Sequence, residues 1–337
     1  MIRESLPLTD ERLRIFEVTA SRAAPTFAED TRRGLTATPK VLFPKYFYDA
    51  LGSRLFEAIC ELPEYYVTRA EAEIFQRHAD EIAGALDGPV RLVELGSGDG
   101  RKTRLLIEAL VARQGGLEYL PVDVSRSSVE QSAERLLHAF PELTVTAFVA
   151  EYQEGLRALR GERVPPGLRT LALFLGSTIA NLDPGERIAL LREIRGVLRP
   201  GDGLLLGVDL RKSESILLPA YDDALGVTAS FNLNLLLRIN RELGGGFELH
   251  SFRHRALWNR ELGRIEAHLE SLREQTVPIR DLGLEVRFAL GETIHTESSY
   301  KLDLGQVAEM AEAGGFVLRR TWTDREGRFA SNLLGAV

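Results

Sequence analysis

The chain lacks several things, and each absence narrows what it does. It has one cysteine, Cys60, in 337 residues. That excludes an intramolecular disulfide and any zinc site built on several thiolates. A reducing, cytoplasmic setting is the expectation that follows. Base is also short: Lys and Arg number 42 against 49 Asp and Glu, a net charge of −7. A protein that tracks a phosphate backbone carries a basic stripe, so nucleic acid is not an expected partner. Lysine is scarcest of the charged residues, present only as Lys40, Lys45, Lys102, Lys212 and Lys301. Long apolar runs are missing. Leu171 to Leu175 and Leu204 to Val208 are among the longest, far short of the ~20 residues of a membrane span. No apolar leader follows Met1-Ile2-Arg3-Glu4, so no signal peptide and no membrane association are expected.

What is present is an ordinary globular mix, 44% apolar and 27% charged. At ~150 residues per domain, the length suggests about two domains. Pro-containing turns punctuate the first 68 residues, at Thr38-Pro39, Phe43-Pro44 and Leu62-Pro63. Arg69 to Leu86 has the spacing of an amphipathic helix. Apolar strand runs at 90–95, 117–122, 143–149, 171–175 and 204–208 then alternate with helical stretches at 102–113, 127–139 and 186–198. Ser127 with Glu130 reads as a capping box. Strands apolar on both faces, separated by helices, predict a parallel sheet covered on both sides. The fold class is α/β, doubly wound.

The rhythm changes after Leu210. A helix over 227–242 ends at Gly244-Gly245-Gly246. Runs at 247–252, 264–272, 276–279, 284–288 and 292–300 follow with no helices between them. Several alternate in period two, which predicts an antiparallel meander with one wet face. A helix at 304–313 and a strand at 317–322 return to the main sheet. The expected division is therefore 70–210 with 302–337 in one domain, and 1–69 with 211–301 in the other.

Between the first parallel strand and its helix stands Gly96-Ser97-Gly98-Asp99-Gly100. The dinucleotide fingerprint needs another spacer before its third glycine, and Arg101 occupies that place. The next strand ends at Asp123, where an acid can hold ribose hydroxyls. Glycines and a ribose-binding acid, without a pyrophosphate cradle, suit S-adenosylmethionine. An ordinary βα turn with a surface aspartate is the alternative.

The segments Pro44-Lys45-Tyr46-Phe47-Tyr48-Asp49, Leu62-Pro63-Glu64-Tyr65-Tyr66-Val67-Thr68-Arg69 and Phe174-Leu175-Gly176-Ser177-Thr178-Ile179-Ala180-Asn181-Leu182 are distinctive together. With Ala220-Tyr221-Asp222-Asp223, Phe231-Asn232 and Thr296-Glu297-Ser298-Ser299, the chain resembles the histidine Nα-trimethyltransferases of ergothioneine biosynthesis. The likeness runs from about Thr38 to the C-terminus. It implies a Rossmann-like, class I S-adenosylmethionine-dependent methyltransferase fold with a second, α+β substrate domain. It also implies a monomeric, cytoplasmic enzyme that methylates the α-amine of L-histidine to hercynine, releasing S-adenosylhomocysteine. By motif, Gly96, Lys102, Asp123, Glu151 and Tyr152 fall at cofactor contacts. Glu151-Tyr152 stands where the family has Asp then Phe. Tyr65, Asn181 and Tyr221 fall at positions that hold the amino-acid backbone, and Glu297 and Ser299 at positions that read the imidazole. Tyr48 lies beside the α-amine, so Tyr48 and Tyr65 are the catalytic candidates. Ala267 stands where the family usually has methionine, which leaves volume beside the side-chain pocket.

The residue chemistry agrees. Methyl transfer to an amine needs alignment above all. Phenols and an amide grip a zwitterion without adding net charge. Singly, Asn181 also suits a helix cap, and Glu297 a solvated strand face. Two other functions stay open: an Nα-methyltransferase of another amino acid, such as tryptophan or a histidine derivative, and a protein that binds S-adenosylmethionine without catalysis. No metal site is expected. His250 and His254 lack a helical setting and a carboxylate partner, and all six histidines read as structural or surface.

Overall fold

The computed structural model describes residues 2–4, 10–18 and 25–337. Its strands, in chain order, are β1 (Ile2–Glu4), β2 (Leu13–Val18), β3 (Lys40–Val41), β4 (Val90–Leu95), β5 (Leu117–Asp123), β6 (Leu143–Val149), β7 (Arg169–Phe174), β8 (Gly203–Asp209), β9 (Phe252–Asn259), β10 (Arg264–Ser271), β11 (Gln275–Ile279), β12 (Leu284–Phe288), β13 (Thr293–Tyr300), β14 (Phe316–Thr323) and β15 (Phe329–Ala336). The chain forms two compact units.

Unit 1 comprises Met1–Arg22, Val67–Arg211 and Leu302–Val337. Its sheet has the order β1-β2-β6-β5-β4-β7-β8-β15-β14. Pairing from β2 through β8 is parallel, and β15 is antiparallel to both β8 and β14. Every residue of β4 and of β8 is buried, as in parallel strands whose two faces are both covered by helices. The chain leaves β4 toward β5 and β6 on one side, then crosses to β7 and β8 on the other. That reversal opens a crevice at the carboxyl ends of the strands beside β4, where ligands of such sheets bind.

Several elements differ from the sequence pattern, among them two strands and a helix cap in unit 1. β2 joins β6 in parallel and buries Leu13 and Ile15. Residues 1–69 therefore divide, with the early strands in unit 1 and Ala23–Tyr66 in unit 2. β15 is buried throughout, although Ser331 and Asn332 interrupt its apolar run. Asn332 settles there because its Nδ2 donates to the Leu206 carbonyl at 3.2 Å. The helix Arg126–Ala139 is capped by Ser125, whose side chain accepts from Ser128 N. A run of three serines at 125, 127 and 128 leaves the register of the cap open by two residues.

Unit 2 comprises Ala23–Tyr66 and Lys212–Lys301. It holds the sheet β3-β13-β10-β9 and the hairpin β11-β12. The expected strand at 247–252 is displaced onward: Leu249–Ser251 is a short turn, and the strand begins at Phe252. The helix Val227–Leu243 covers this sheet with Phe231, Leu235, Leu236 and Ile239. No helix among the described residues is long and apolar enough to cross a membrane.

Candidate active site

In unit 1 the glycine turn closes β4. Gly96 N donates to the Val122 carbonyl at 2.8 Å, tying the turn to β5. Gly96 has φ +74° and Gly98 φ +51°, in the left-handed region that side chains disfavour. A Cβ at Gly96 would lie 2.9 Å from the Tyr152 hydroxyl, whereas one at Gly98 would meet nothing within 4 Å. The turn is thus backed by Tyr152 and open above Gly98. At the end of β5, Asp123 Oδ2 accepts from Gly98 N at 2.9 Å and Oδ1 from Ser125 N at 2.9 Å. Burial raises the Asp123 carboxyl, and these backbone donors work against that rise. The carboxylate is fixed in direction and retains lone pairs for a diol.

The other cofactor candidates sit around this turn in different ways. Tyr152 opens the helix Tyr152–Arg160, and its ring stands edge-on to Phe174 at 5.3 Å. Glu151, the residue before it, is exposed. Lys102 precedes the helix Thr103–Gln114, and its ammonium pairs with Glu71. Glu71 is fully buried and also accepts from Gly176 N at 3.0 Å. Glu94, inside β4, is held by Thr103 Oγ1 at 2.7 Å and by the Tyr119 hydroxyl. Burial pushes its carboxyl up to about 7. Motif reading missed both glutamates. Glu94 had a signal, being an acid inside a strand run that is apolar but for it and Arg91, while Glu71 had none.

After β7 the chain turns through Gly176 and Ser177. Ser177 has φ 61°, the one non-glycine in the left-handed region among the described residues. Its hydroxyl accepts from Asp209 N at 2.9 Å, which holds the strained residue in place. The short helical turn Thr178–Asn181 follows. Asn181 does not cap the next helix. That place is Asp183, whose N–H donates to Glu186 at 2.9 Å.

In unit 2 Tyr48, Tyr65, Tyr221, Glu297 and Ser299 gather into one cluster, whereas Asn181 belongs to unit 1. Asp49 caps the helix Ala50–Glu61, with Gly52 N at 2.7 Å, and it receives Asn234 Nδ2 at 2.8 Å and Arg241 at 2.6 Å. Burial raises its carboxyl, but those donors outweigh it and hold the group below the usual range. This clamp fixes the neighbouring Tyr48, whose ring stands 5.5 Å from Phe56 and 5.8 Å from Phe231. Phe56 meets Tyr65 at 6.2 Å, and Tyr65 meets Tyr221 at 6.3 Å, both edge-on. Burial, with Tyr221, Cys60, Tyr48 and Glu297 nearby, raises the Tyr65 phenol far above its ordinary value. It therefore remains protonated. His254 accepts from Asn232 Nδ2 at 2.8 Å, and its Nε2, assigned as the protonated nitrogen by that contact, donates to the Tyr221 carbonyl at 2.8 Å.

The sheet supplies the remaining groups. β10 and β13 pair antiparallel with a register shift: Ala267 faces Glu297, then His268 faces His295. Thr296 is the extra residue, and its hydroxyl donates to the Ala267 carbonyl at 2.9 Å. A bulge of this kind re-aims a side chain. Glu297 accordingly shares a face with Ala267 and Ser299, while His268, His295 and Glu266 stand on the other. The Tyr221 hydroxyl lies 2.9 Å from Ser299 Oγ. Lys301, which the motif reading passed over, reaches both oxygens at 2.7 Å. Its signal was present as the period-two run Glu297, Ser299, Lys301 along one strand face. Burial pushes the Glu297 carboxyl up to about 7, against the field of Lys301.

Unit 1 thus offers a glycine floor and a fixed acceptor, which fit the ribose of S-adenosylmethionine. Unit 2 offers the phenols of Tyr48, Tyr65 and Tyr221, the Ser299 hydroxyl and the Glu297 carboxyl. Among the described residues, no group of three or more His, Cys, Asp or Glu is arranged to hold a metal.

The sequence profile of the family described as "Histidine-specific methyltransferase, SAM-dependent" matches residues 27–336. The chain belongs to this family. It is 44% identical over 317 residues to a protein named histidine N-alpha-methyltransferase from Mycolicibacterium smegmatis, covering 93% of this chain and 96% of that one. It is 44% identical over 304 residues to the protein of the same name from Mycobacterium tuberculosis, covering 90% and 93%. It is 28% identical over 277 residues to ergothioneine biosynthesis protein 1 of Schizosaccharomyces pombe, covering 80% of this chain and 36% of that longer protein.

Proposed function

We propose that the protein transfers methyl groups from S-adenosylmethionine to the α-amine of L-histidine, three in succession, giving hercynine at the start of ergothioneine biosynthesis. The observation that carries this reading is the strand face that sets the Glu297 carboxyl beside Ser299, in a chain of the histidine-specific family. A carboxylate that accepts one imidazole N–H and a hydroxyl that serves the other ring nitrogen together match the histidine side chain. An indole has one N–H and no second nitrogen, so tryptophan leaves one of them unused.

S-adenosylmethionine supplies an electrophilic methyl group and leaves as a neutral thioether. The protein's task is to present a deprotonated amine in line with that methyl, which is a matter of proximity and orientation. Gly96, Asp123, Lys102, Glu151 and Tyr152 are the residues that would hold the cofactor. Tyr65, Tyr221 and Asn181 hold the amino-acid backbone, and Tyr48 lies beside the amine. The phenols and amide leave the nitrogen free to lose its proton to solvent, since none adds a negative charge that would hold it. The reading extends to a cytoplasmic enzyme acting as a monomer.

The direct test is release of S-adenosylhomocysteine with each free amino acid in turn. Histidine is expected to be turned over fastest. Faster turnover of tryptophan at equal concentration would replace histidine as the substrate.

Two further results are expected. Asn181→Ala raises the KM for histidine by about tenfold, as loss of one hydrogen bond to a charged group does, and leaves the affinity for S-adenosylhomocysteine unchanged. Equal damage to both would assign Asn181 to folding. The second concerns pH. The Glu297 carboxyl is raised to about 7, so the accepting carboxylate is lost as pH falls through that value. kcat/KM for histidine therefore rises with pH through about 7, and this limb is absent from Glu297→Gln. A limb unchanged in that variant would assign the titration elsewhere, for instance to the substrate.

A further inference from the structure

Lys301 is fully buried in a chain that has only five lysines. A buried ammonium is costly unless it is hydrogen-bonded and offset by nearby charge. Here it is hydrogen-bonded, and its field reaches the Glu297 carboxyl. Its Nζ lies 2.7 Å from the Tyr221 hydroxyl, 2.7 Å from Ser299 Oγ and 4.5 Å from the centre of the Tyr221 ring. The two oxygens are themselves 2.9 Å apart, so the three atoms close a triangle.

We propose that Lys301 is a positioning residue that gives this strand face its polarity, holding Glu297 as the acceptor and making the Tyr221–Ser299 pair a donor. The proposal rests on the histidine reading above. An ammonium has three N–H donors and no acceptor, so it can only donate to the two oxygens. The hydroxyls bring two protons, and one of them fills the contact between the oxygens. The Ser299 O–H is then left to face a ligand. Without Lys301 two more lone pairs open, and the pair becomes mainly an acceptor. Chained hydrogen bonds also polarise the remaining O–H.

The arrangement matches neutral imidazole. Glu297 takes the ring N–H, and Ser299, accepting from both Lys301 and Tyr221, gives its proton to the second nitrogen. The positive charge also favours the ionised form of Glu297. The Tyr65 phenol also interacts with that carboxyl, while Arg264, Glu266, His268 and His295 stand on the opposite face of the same strands.

The experiment compares Lys301→Met, which keeps the stem and removes the charge, with Lys301→Arg, which keeps the charge. In Lys301→Met the KM for histidine is expected to rise about tenfold or more. The acid limb of kcat/KM should move to higher pH. Affinity for S-adenosylhomocysteine should stay unchanged. Lys301→Arg should keep the acid limb where the unsubstituted protein has it. A folded Lys301→Met with unaltered KM and an unaltered acid limb overturns the proposal. A measurement on the unsubstituted protein covers the case in which Lys301→Met does not fold. β-(Pyrrol-2-yl)alanine keeps a ring N–H but lacks the acceptor nitrogen, and it should be methylated at least about tenfold less efficiently than histidine. Equal efficiency overturns the proposal. If histidine is not methylated at all, the functional reading itself fails. If histidine is methylated but Lys301→Met behaves as the unsubstituted protein, only the role of Lys301 fails.

Discussion

Glu297→Ala lowers kcat/KM for histidine by about 10²–10³-fold, while affinity for S-adenosylhomocysteine stays within about twofold. A charge-assisted hydrogen bond contributes roughly 1.5–3 kcal/mol, about ten- to a hundredfold in rate or affinity. The variant also removes a carboxyl that interacts with the buried Lys301, which adds to the loss. Because a site built to hydrogen-bond a polar side chain rejects analogues by ~10⁴, the same change relaxes that rejection, and apolar or aromatic amino acids gain relative to histidine. Ala267 matters here, since it stands opposite Glu297 on β10. Its small side chain leaves room for a bulkier substrate once the carboxyl is gone. Ala267→Met should narrow the substrate range with little loss on histidine. Steady-state kinetics with histidine and tryptophan read both changes. An unchanged histidine efficiency in Glu297→Ala would remove the carboxyl from substrate recognition.

Asp123→Ala weakens cofactor binding about ten- to a hundredfold, with histidine recognition intact at saturating cofactor. Two effects combine. The ribose loses its acceptor, and Gly98 N and Ser125 N lose the partner that holds the turn. Calorimetry with S-adenosylhomocysteine measures the sum. Unchanged affinity would mean that the glycine turn holds something other than a ribose.

The parallel core was legible because burial on both faces leaves an apolar run, as at 171–175 and 204–208, which become β7 and β8. The run at 284–288 was legible in another way, by the period-two alternation that β12 keeps, with Val286 and Phe288 buried between exposed Glu285 and Arg287. β15 escaped because Ser331 and Asn332 look like loop residues until a neighbouring strand satisfies them. β2 escaped because a short strand of mixed polarity gains its meaning only from pairing with β6. In the site, Tyr48, Tyr65, Tyr221, Glu297 and Ser299 were identified by motif, and in unit 2 they lie in one connected cluster. The bulge at Thr296 could not be read from the sequence. Strict alternation would have put Glu297 on the face of His295, whereas the register shift puts it with Ala267. Glu71 and Lys301 were missed for a related reason. A charged side chain becomes informative only when its burial and its partners are known.

The central claim is that histidine is the substrate and its α-amine the nucleophile. Mass spectrometry of the product formed from histidine and isotopically labelled S-adenosylmethionine tests it most directly. The expected result is three labelled methyl groups on the α-nitrogen, an unmodified imidazole and a matching yield of S-adenosylhomocysteine. Label on a ring nitrogen, or no label on histidine while another amino acid is methylated, would contradict the account.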